Sequence, residues 1–259
     1  MRTVQLVSRD DRADAHSVER ELVERLGDRG IAVGTPDDAD LIVAIGGDGT
    51  VLAAAGGAIA RGVPICGINV GRVGYLAEFE VAEIADLVDA IARGTYEIRS
   101  HSLLEVATGT TSATAVNDVV VEKVVSQRII EVAVTIDDRP LATYRTDGII
   151  VATPLGSTAY SLSAGGPVVD PSLDALVLTP IAPHSLLTRA IVLGPDAVVR
   201  LEVAIDRPAR VNVDGRELCL VEPGEIVTVN RSARHVEFLS LGRHPFPQAV
   251  REQFGLDHA

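Results

Sequence analysis

The chain has 259 residues and a net charge of −13, and 47% of its residues are apolar. This length allows one large domain or two ordinary ones, each able to bury a core. The acidic balance argues against nucleic-acid binding, which needs a basic surface. Because no apolar run is long enough to span a membrane and no signal peptide opens the chain, we expect a cytoplasmic protein without a membrane partner. Cys66 and Cys219 lie in apolar, strand-like contexts and are interpreted as buried thiols.

The first hundred residues alternate between the patterns of a strand and of a helix. Strands are predicted at 3–8, 41–45 and 63–70, and helices at about 18–26, 50–61 and 81–93. Asp10 or Asp11 is placed to cap the first of these helices. Since parallel strands joined by helices produce such an alternation, the sequence predicts an α/β domain with a parallel, Rossmann-like sheet.

From about Ser100 the pattern changes to short β-branched segments separated by turn residues. Two of the turns, at 147–148 and 214–215, contain the Asp-Gly dipeptide that is typical of hairpins. No segment of this region predicts a helix, whereas the tail FPQAVREQFG does, and we expect this tail to pack on the first domain. The sequence thus predicts an α/β domain at 1–99 with 240–259 and a β-rich domain at 100–239.

One loop of the first domain carries the pattern of a phosphate site. The buried strand LIVAI runs directly into GGDGT, and a small-residue helix follows. Glycines let a backbone approach a ligand closely, and N–H groups at a helix N-terminus attract anions. Thr50 is expected to cap this helix, and Asp48 is the only charge at the tip, where it can accept a proton from an attacking hydroxyl. The candidate residues for binding ATP phosphates are Gly46, Gly47, Gly49 and Thr50.

Other phosphate-binding loops do not fit this sequence. A P-loop needs a lysine after its glycines, and the single lysine of the chain, Lys123, follows the segment VVVE. The sequence has no protein-kinase motifs, and Leu52 stands where the third glycine of a dinucleotide fingerprint belongs. Two interpretations remain open: a kinase-type loop with an acid at its centre, and a tight structural turn whose aspartate caps a helix.

A second polar segment lies in the β-rich region. The stretch YRTDGIIVATPLGSTAYSLSAGGPVVD, residues 144–170, combines hydroxyl groups, glycines and aromatic residues between apolar strands. Such a segment suits a planar ligand that carries many hydroxyl groups, and a polar surface loop is the alternative. Upstream, Asn117 and Asp118 interrupt an apolar strand, where two adjacent polar side chains are costly unless they are paired or form a turn.

Four motifs together resemble the NAD kinase family, over nearly the whole chain. They are GGDGT at 46–50, the pair Asn117-Asp118, the segment from DG to TPLGSTAYSLSAGGP at 147–167, and PHSL with the following arginine at 183–189. The first motif is shared with diacylglycerol, sphingosine and phosphofructo-kinases, and the third is highly specific. Asp118 departs from the glutamate of many relatives, which shortens the reach of this carboxylate.

The resemblance implies a two-domain subunit that transfers the γ-phosphate of ATP to the 2′-hydroxyl of the adenosine ribose of NAD. It further implies a divalent metal, usually Mg²⁺, and a homodimer or homotetramer; polyphosphate as an alternative donor stays open. Asp48 would then orient or deprotonate the ribose hydroxyl, and Asp147 would bind toward the nicotinamide end. The NAD-binding residues implied in this way are Asp48, Asn117, Asp118, Asp147, Thr158, Ala159, Tyr160 and Ser163.

Two other functions compete with this one. A lipid kinase uses the same GGDGT loop, but it needs an apolar acceptor pocket, which TPLGSTAY does not suit. A nucleotide-binding regulator without catalysis has no use for Asp48, because a carboxylate beside phosphates repels them. Binding of NAD and ATP without formation of NADP is the observation that favours the regulator.

Overall fold

The computed structural model describes residues 1–8, 13–71, 74–109, 111–126, 128–184, 186–204, 207–243 and 245–256. The caps expected at Asp10 or Asp11, and Ser185 of the PHSL motif, lie outside the described residues. The chain forms two compact units, Met1–His101 with Val236–Ala259 and Ser102–His235. The domain limits drawn from the sequence stay a prediction.

The first unit is an α/β structure built on parallel strands. Its strands are β1 (Thr3–Ser8), β2 (Ala32–Val33), β3 (Leu41–Ile45), β4 (Ile65–Asn69) and β5 (Phe79–Glu80), and its first helices are α1 (Ala13–Asp28), α2 (Asp48–Arg61) and α3 (Ile84–Arg93). The strands pair in parallel in the order β2-β1-β3-β4-β5. This arrangement confirms the α/β class.

The core of the first unit follows the apolar periodicity of its sequence. All five residues of β3 are buried, as expected for a central strand covered on both faces. Val18, Leu22 and Leu26 form the apolar stripe of α1. They are buried in one hydrophobic cluster together with the inner face of α3. Helix α3 ends at Gly94, whose φ of 69° is the left-handed conformation that terminates helices.

The second unit is β-rich. Its elements, including the two strands that connect it to the first unit, are β6 (Glu97–Thr108), β7 (Thr111–Ala115), β8 (Asp118–Lys123), β9 (Ile130–Ile136), β10 (Arg139–Thr146), β11 (Gly148–Ala152), α4 (Tyr160–Ser163), β12 (Leu176–Ile181), β13 (Ile191–Leu193), β14 (Val199–Ala204), β15 (Ala209–Val213), β16 (Arg216–Val221) and β17 (Ile226–Ser240). One sheet has the order β13-β12-β11-β8-β15-β16, and β10-β9-β14-β17 form a second row. All these pairings are antiparallel.

Side chains from both rows form one hydrophobic core in the second unit. Val132 and Leu201 contribute from one row and Val121, Ile149 and Leu178 from the other. The opposite face of β8 and β11 is covered in part by Val169, which follows the TPLGSTAY segment. Burial on both faces explains why β11 reads as a continuous apolar run in the sequence.

Three local expectations are wrong. The Asp-Gly pair at 147–148 is not a hairpin, because β10 pairs with β9 while β11 pairs with β8 and β12. Glycine is needed there for close approach, since a Cβ on Gly148 would lie 2.7 Å from the Val121 carbonyl oxygen. A 3₁₀ turn at Leu155–Thr158 and the one-turn helix α4 interrupt a region expected to lack helices. Cys219 is only partly buried, because β16 is an edge strand.

The C-terminal segment packs on the first unit, as expected. Helix α5 (Phe246–Gln253) forms near its end. Before this helix, the Ser240 hydroxyl and the Leu241 N–H both donate to the Glu78 carboxylate, at 2.8 and 3.1 Å. The Arg243 guanidinium contacts two carboxylates at the start of α3. Across the described ranges, no helix is long and apolar enough to cross a membrane.

Candidate active site

The GGDGT loop forms the junction between β3 and α2. The Gly46 N–H donates to the Ile68 carbonyl of β4 at 2.9 Å, which fixes the end of β3. Helix α2 begins at Asp48, with Gly47 as its N-cap in an extended conformation. The expected cap at Thr50 is therefore wrong: Thr50 is the third helical residue, and its N–H donates to the Gly47 carbonyl at 2.8 Å.

This geometry reduces the number of amides that can meet a phosphate. The N–H groups of Asp48 and Gly49 belong to the first two helical residues, which have no acceptor within an α-helix. Gly49 is exposed and Asp48 is half-buried, so both lie where a ligand can reach. The amide of Thr50 is engaged within the turn. The loop thus presents the N–H groups of Asp48 and Gly49, and the positive end of the helix dipole, to an anion.

The Asp48 carboxylate is held by backbone amides of the segment 75–77. Tyr75 N–H donates to Oδ2 at 3.0 Å, and the N–H groups of Leu76 and Ala77 donate to Oδ1 at 3.0 and 3.4 Å. The approach depends on Gly74, because a Cβ there would lie 2.1 Å from Asp48 Oδ1. Hydrogen bonds to a carboxylate are stronger than neutral ones, so Asp48 is kept in one orientation. No pattern in the sequence indicated that this segment binds Asp48.

Tyr75 adds a buried polar atom near Asp48. Its hydroxyl oxygen has no hydrogen-bond partner within the described part of the chain. Burial, and secondarily the Asp48 charge, raises the pKa of Tyr75, so its hydroxyl is protonated and able to donate. Since buried polar atoms are nearly always paired in folded proteins, this hydroxyl is a candidate for contact with a ligand.

In the second unit, Asn117 and Asp118 lie where the chain enters β8. Asn117 is held through its backbone: its N–H donates to Asp214 Oδ1 at 2.7 Å, and its carbonyl accepts from Thr153 N–H at 2.9 Å. Its side-chain Oδ1 is buried and finds no hydrogen-bond donor among the residues described. A clamped backbone with an unused acceptor is the arrangement expected of a residue that binds an amino or hydroxyl group.

Asp118 shares its surroundings with Asp214. Asp118 is 4% exposed, and burial, followed by the nearby Asp214 charge, raises the pKa of Asp118 to about 7. Burial also raises the pKa of Asp214, but three backbone N–H groups and Arg216 oppose this effect. Those N–H groups favour the ionised form of Asp214, and we therefore assign the proton of this pair to Asp118 at acid pH.

Asp147 lies between β10 and β11, and its backbone joins two neighbours. Its N–H donates to the Ile181 carbonyl at 3.0 Å, and its carbonyl accepts from Lys123 N–H at 2.9 Å. The Lys123 ammonium also lies 2.6 Å from Asp147 Oδ1, so the single lysine of the chain is an ion-pair partner of a candidate NAD-binding residue. The sequence marked Lys123 only by its rarity.

The TPLGSTAY segment has two groups of hydroxyls. Thr153 donates to the Val116 carbonyl at 2.8 Å, and Ser157 accepts from Val169 N–H at 3.0 Å, so these buried hydroxyls hold the loop together. Gly156 passes so near Asn117 that a Cβ would lie 2.0 Å from the Asn117 carbonyl oxygen. The sequence did not distinguish this structural group from the outward one.

The outward group contains the predicted ligand contacts of this segment. Thr158 and Ala159 are partly exposed, and Tyr160 and Ser163 are exposed. The pKa of Tyr160 is raised, first because its hydroxyl is partly desolvated although the residue is exposed, and then by the charges of Glu122, Asp147 and Asp118. Asp118 and Asp147 thus lie close enough to Tyr160 for their charges to act on it.

The part of the chain that the structure describes offers no ready-made site for a divalent metal. No group of three or more His, Cys, Asp or Glu side chains that could hold a metal occurs within the described residues. Magnesium is usually bound by one or two carboxylates together with substrate phosphates. The residues present therefore fit a metal that arrives with a nucleotide, with Asp48 as the carboxylate at the phosphate loop.

Comparison with known proteins gives matches along the chain. The model of the ATP-NAD kinase N-terminal domain matches residues 34–96, and that of the ATP-NAD kinase C-terminal domain matches residues 116–241. An NAD kinase of Cutibacterium acnes is 34% identical over 286 residues, covering 98% of this chain and 90% of that protein. An NAD kinase of Heliobacterium modesticaldum is 38% identical over 278 residues, covering 98% of each.

Two solved structures have a similar fold. Yeast NADH kinase, complexed with NADH, matches with a TM-score of 0.91 and 21% identity, over 100% of this chain and 89% of that one. An NAD kinase from Archaeoglobus fulgidus, in complex with ATP, matches with a TM-score of 0.78 and 28% identity, over 98% of both. The first likeness concerns the fold alone. Together with the sequence matches, these findings establish that the chain belongs to the ATP-NAD kinase family.

Proposed function

We propose that this chain transfers the γ-phosphate of ATP to the 2′-hydroxyl of the adenosine ribose of NAD, forming NADP. Phosphorylation of NAD is the activity of the family to which the chain belongs. The observation that carries the proposal is the relationship at 34% and 38% identity over 98% of the chain. The GGDGT loop and the Asn117-Asp118 pair, both present in this sequence, provide the polar groups that such a transfer requires.

In this proposal the first unit binds the donor. The start of α2 faces the phosphates with the N–H groups of Asp48 and Gly49, and Gly47 leaves room for them, whereas Gly46 is needed because a Cβ there would clash with the Thr50 side chain. Thr50 supports the turn through its N–H and is the most indirect of the phosphate-binding residues. Phosphoryl transfer depends mainly on holding phosphates in line and on neutralising charge, which backbone amides do without moving.

Asp48 is the proposed catalytic residue. Because three amides already donate to its carboxylate, it presents a fixed lone pair to the ribose hydroxyl. Fixed orientation is of more use here than strong basicity, since a carboxylate is a weak base toward an alcohol. Asp48 would therefore align the 2′-hydroxyl and accept its proton late in the transfer.

The second unit binds NAD in this proposal. The unused Oδ1 of Asn117 and the Asp118 carboxylate accept hydrogen bonds from the adenosine half, and Thr158, Ala159, Tyr160 and Ser163 line its pocket. Asp147, oriented by Lys123, binds toward the nicotinamide end. These assignments rest on the motifs of the family, and the unpartnered Asn117 Oδ1, the burial of Asp118 and the Lys123–Asp147 ion pair support three of them.

Several finer properties belong to the same proposal. Mg²⁺ would enter with ATP and supply positive charge at the transferring phosphoryl group. Polyphosphate is a second possible donor, because the loop recognises phosphates rather than a base. A homodimer or homotetramer in the cytoplasm is the expected state of the protein.

The proposal is tested by measuring NADP formation from NAD, ATP and Mg²⁺ with the wild type, Asp48→Asn and Asp86→Asn. Asp86 is a matched control, because it is also an aspartate in the first turn of a helix in the same unit. We expect Asp48→Asn to lose about three orders of magnitude in kcat while it still binds NAD, and Asp86→Asn to retain wild-type kcat. A wild type that binds both nucleotides without forming NADP contradicts the proposal and favours the regulator.

A further inference from the structure

The tip of the β15–β16 hairpin makes contacts that a turn does not need. Asp214 and Gly215 have φ angles of 49° and 75°, which is the left-handed pair of a tight hairpin turn. The Asp214 carboxylate, however, points to the segment before β8. Val116 N–H donates to its Oδ2 at 2.8 Å, and the N–H groups of Asn117 and Asp118 donate to its Oδ1 at 2.7 and 3.2 Å.

Three consecutive amides therefore end on one carboxylate. The contact is returned by the Asp214 N–H, which donates to the Asp118 carbonyl at 3.0 Å. From the other side, Thr153 binds the carbonyl groups of Val116 and Asn117. Since charge-assisted hydrogen bonds are about twice as strong as neutral ones, Asp214 supplies the stronger half of this clamp.

We propose that Asp214 is a positioning residue for NAD: it fixes the backbone of residues 116–118, and with it the Asn117 and Asp118 side chains, and its charge sets the pH at which NAD binds. This inference rests on the proposed function, because it assumes that these two side chains bind the adenosine half. Asp214 itself touches no reacting atom.

The dependence on pH follows from the neighbours of Asp118. Asp214 faces it from the β15–β16 turn, Arg216 acts on Asp214 from the same hairpin, and Tyr160 faces Asp118 from α4. Asp214 disfavours the ionised form of Asp118, and Arg216 favours the ionised form of Asp214. Because ionised Asp118 is the better acceptor for hydroxyl and amino groups, the KM for NAD rises as the pH falls through the range in which Asp118 takes up its proton.

The first test is the Asp214→Asn variant, with Asp137→Asn as its matched control. Asp137 also has a left-handed φ in a hairpin turn of the second unit, and its carboxylate accepts the Val198 N–H at 2.9 Å. We expect Asp214→Asn to raise the KM for NAD about tenfold and to change the KM for ATP less than about twofold, since the amides of the clamp lose a charged acceptor. In Asp214→Asn the rise of the KM for NAD at acid pH begins at a lower pH than in the wild type. Asp137→Asn leaves the two KM values and this pH dependence unchanged.

A second variant keeps the test decisive if Asp214→Asn does not fold. Arg216 is exposed, and Arg216→Gln leaves the three hydrogen bonds of Asp214 in place while removing the charge that favours its ionised form. Because less of Asp214 is then ionised, we expect the acid rise in the KM for NAD to move to lower pH in Arg216→Gln, in the same direction as in Asp214→Asn, while the KM above this range stays close to that of the wild type. A purely structural role for the hairpin produces no such shift in a variant that keeps the three hydrogen bonds, and its absence overturns the proposal.

A failure of the proposed function can be distinguished from a failure of the clamp. If the wild type makes no NADP, hydrogen exchange of the amides of residues 116–118 still shows whether Asp214 fixes this backbone. Faster exchange at these amides in Asp214→Asn than in Asp137→Asn supports the clamp, and equal exchange rejects it.

Discussion

Replacing Asp118 by asparagine is expected to stabilise the folded chain in a manner that depends on pH. Burial beside Asp214 raises the pKa of Asp118 from 3.8 to about 7, which corresponds to about 4 kcal/mol lost by the folded state when this carboxyl ionises. The folded state holds the proton that the unfolded state releases between these two values. The free energy of unfolding of the wild type therefore falls as the pH rises from about 4 to about 7.

Asp118→Asn removes the ionisation and with it this loss. The difference in free energy of unfolding between variant and wild type should grow by about 2–3 kcal/mol between about pH 5 and about pH 8. Any effect of the new amide group is independent of pH, so the slope is the diagnostic quantity. Urea unfolding followed by far-UV circular dichroism measures it, because the chain has no tryptophan. Asp137→Asn is the control, and a difference that stays constant with pH for Asp118→Asn refutes the reasoning.

Substitutions at Gly156, Tyr75 and Lys123 test the surroundings of the site. Gly156→Ala places a Cβ 2.0 Å from the Asn117 carbonyl oxygen, so it should lower the free energy of unfolding by about 1–3 kcal/mol and raise the KM for NAD. Gly56→Ala is the control: a Cβ there has open space in α2, and the free energy of unfolding should rise by up to about 1 kcal/mol. Tyr75→Phe removes a buried hydroxyl without a described partner, so thermal stability in the absence of ligand should not fall while the KM for NAD or ATP rises. Lys123→Gln should raise the KM for NAD, because Asp147 loses its ion-pair partner. Lys123→Arg keeps a positive charge beside Asp147 and should raise this KM less. An unchanged KM in Tyr75→Phe, or in Lys123→Gln, would contradict the placement of that residue in the site.

Local patterns in the sequence were sufficient for much of the fold. The spacing of Val18, Leu22 and Leu26 placed α1, and the apolar run at 41–45 placed β3, because each depends on burial of one element. The Asp-Gly dipeptide at 214–215 correctly marked a hairpin, where both residues have left-handed φ angles. The same dipeptide at 147–148 failed, because Gly148 serves a close approach between strands and not a turn.

The contacts that organise the site were beyond the reach of sequence patterns. Asp48 meets amides 27 to 29 residues away, and Asp214 meets amides 96 to 98 residues away. No short-range pattern encodes such pairs. A hairpin turn already accounted for the Asp-Gly dipeptide at 214–215, so nothing in the sequence pointed to a second contact of Asp214. The resemblance to the NAD kinase family predicts which residues face the ligand, and the structure adds the hydrogen bonds that fix Asp48 and the backbone of Asn117 and Asp118.

Transfer of labelled phosphate is the most direct test of the central claim. Purified protein would be incubated with NAD, Mg²⁺ and ATP labelled in its γ-phosphate, and the product identified with a dehydrogenase that accepts NADP but not NAD. We expect one labelled phosphate in each NADP formed, and labelled NADP to form about a thousandfold more slowly with Asp48→Asn. Folded protein that binds both nucleotides but leaves all label in ATP would contradict the assignment of this chain as an NAD kinase.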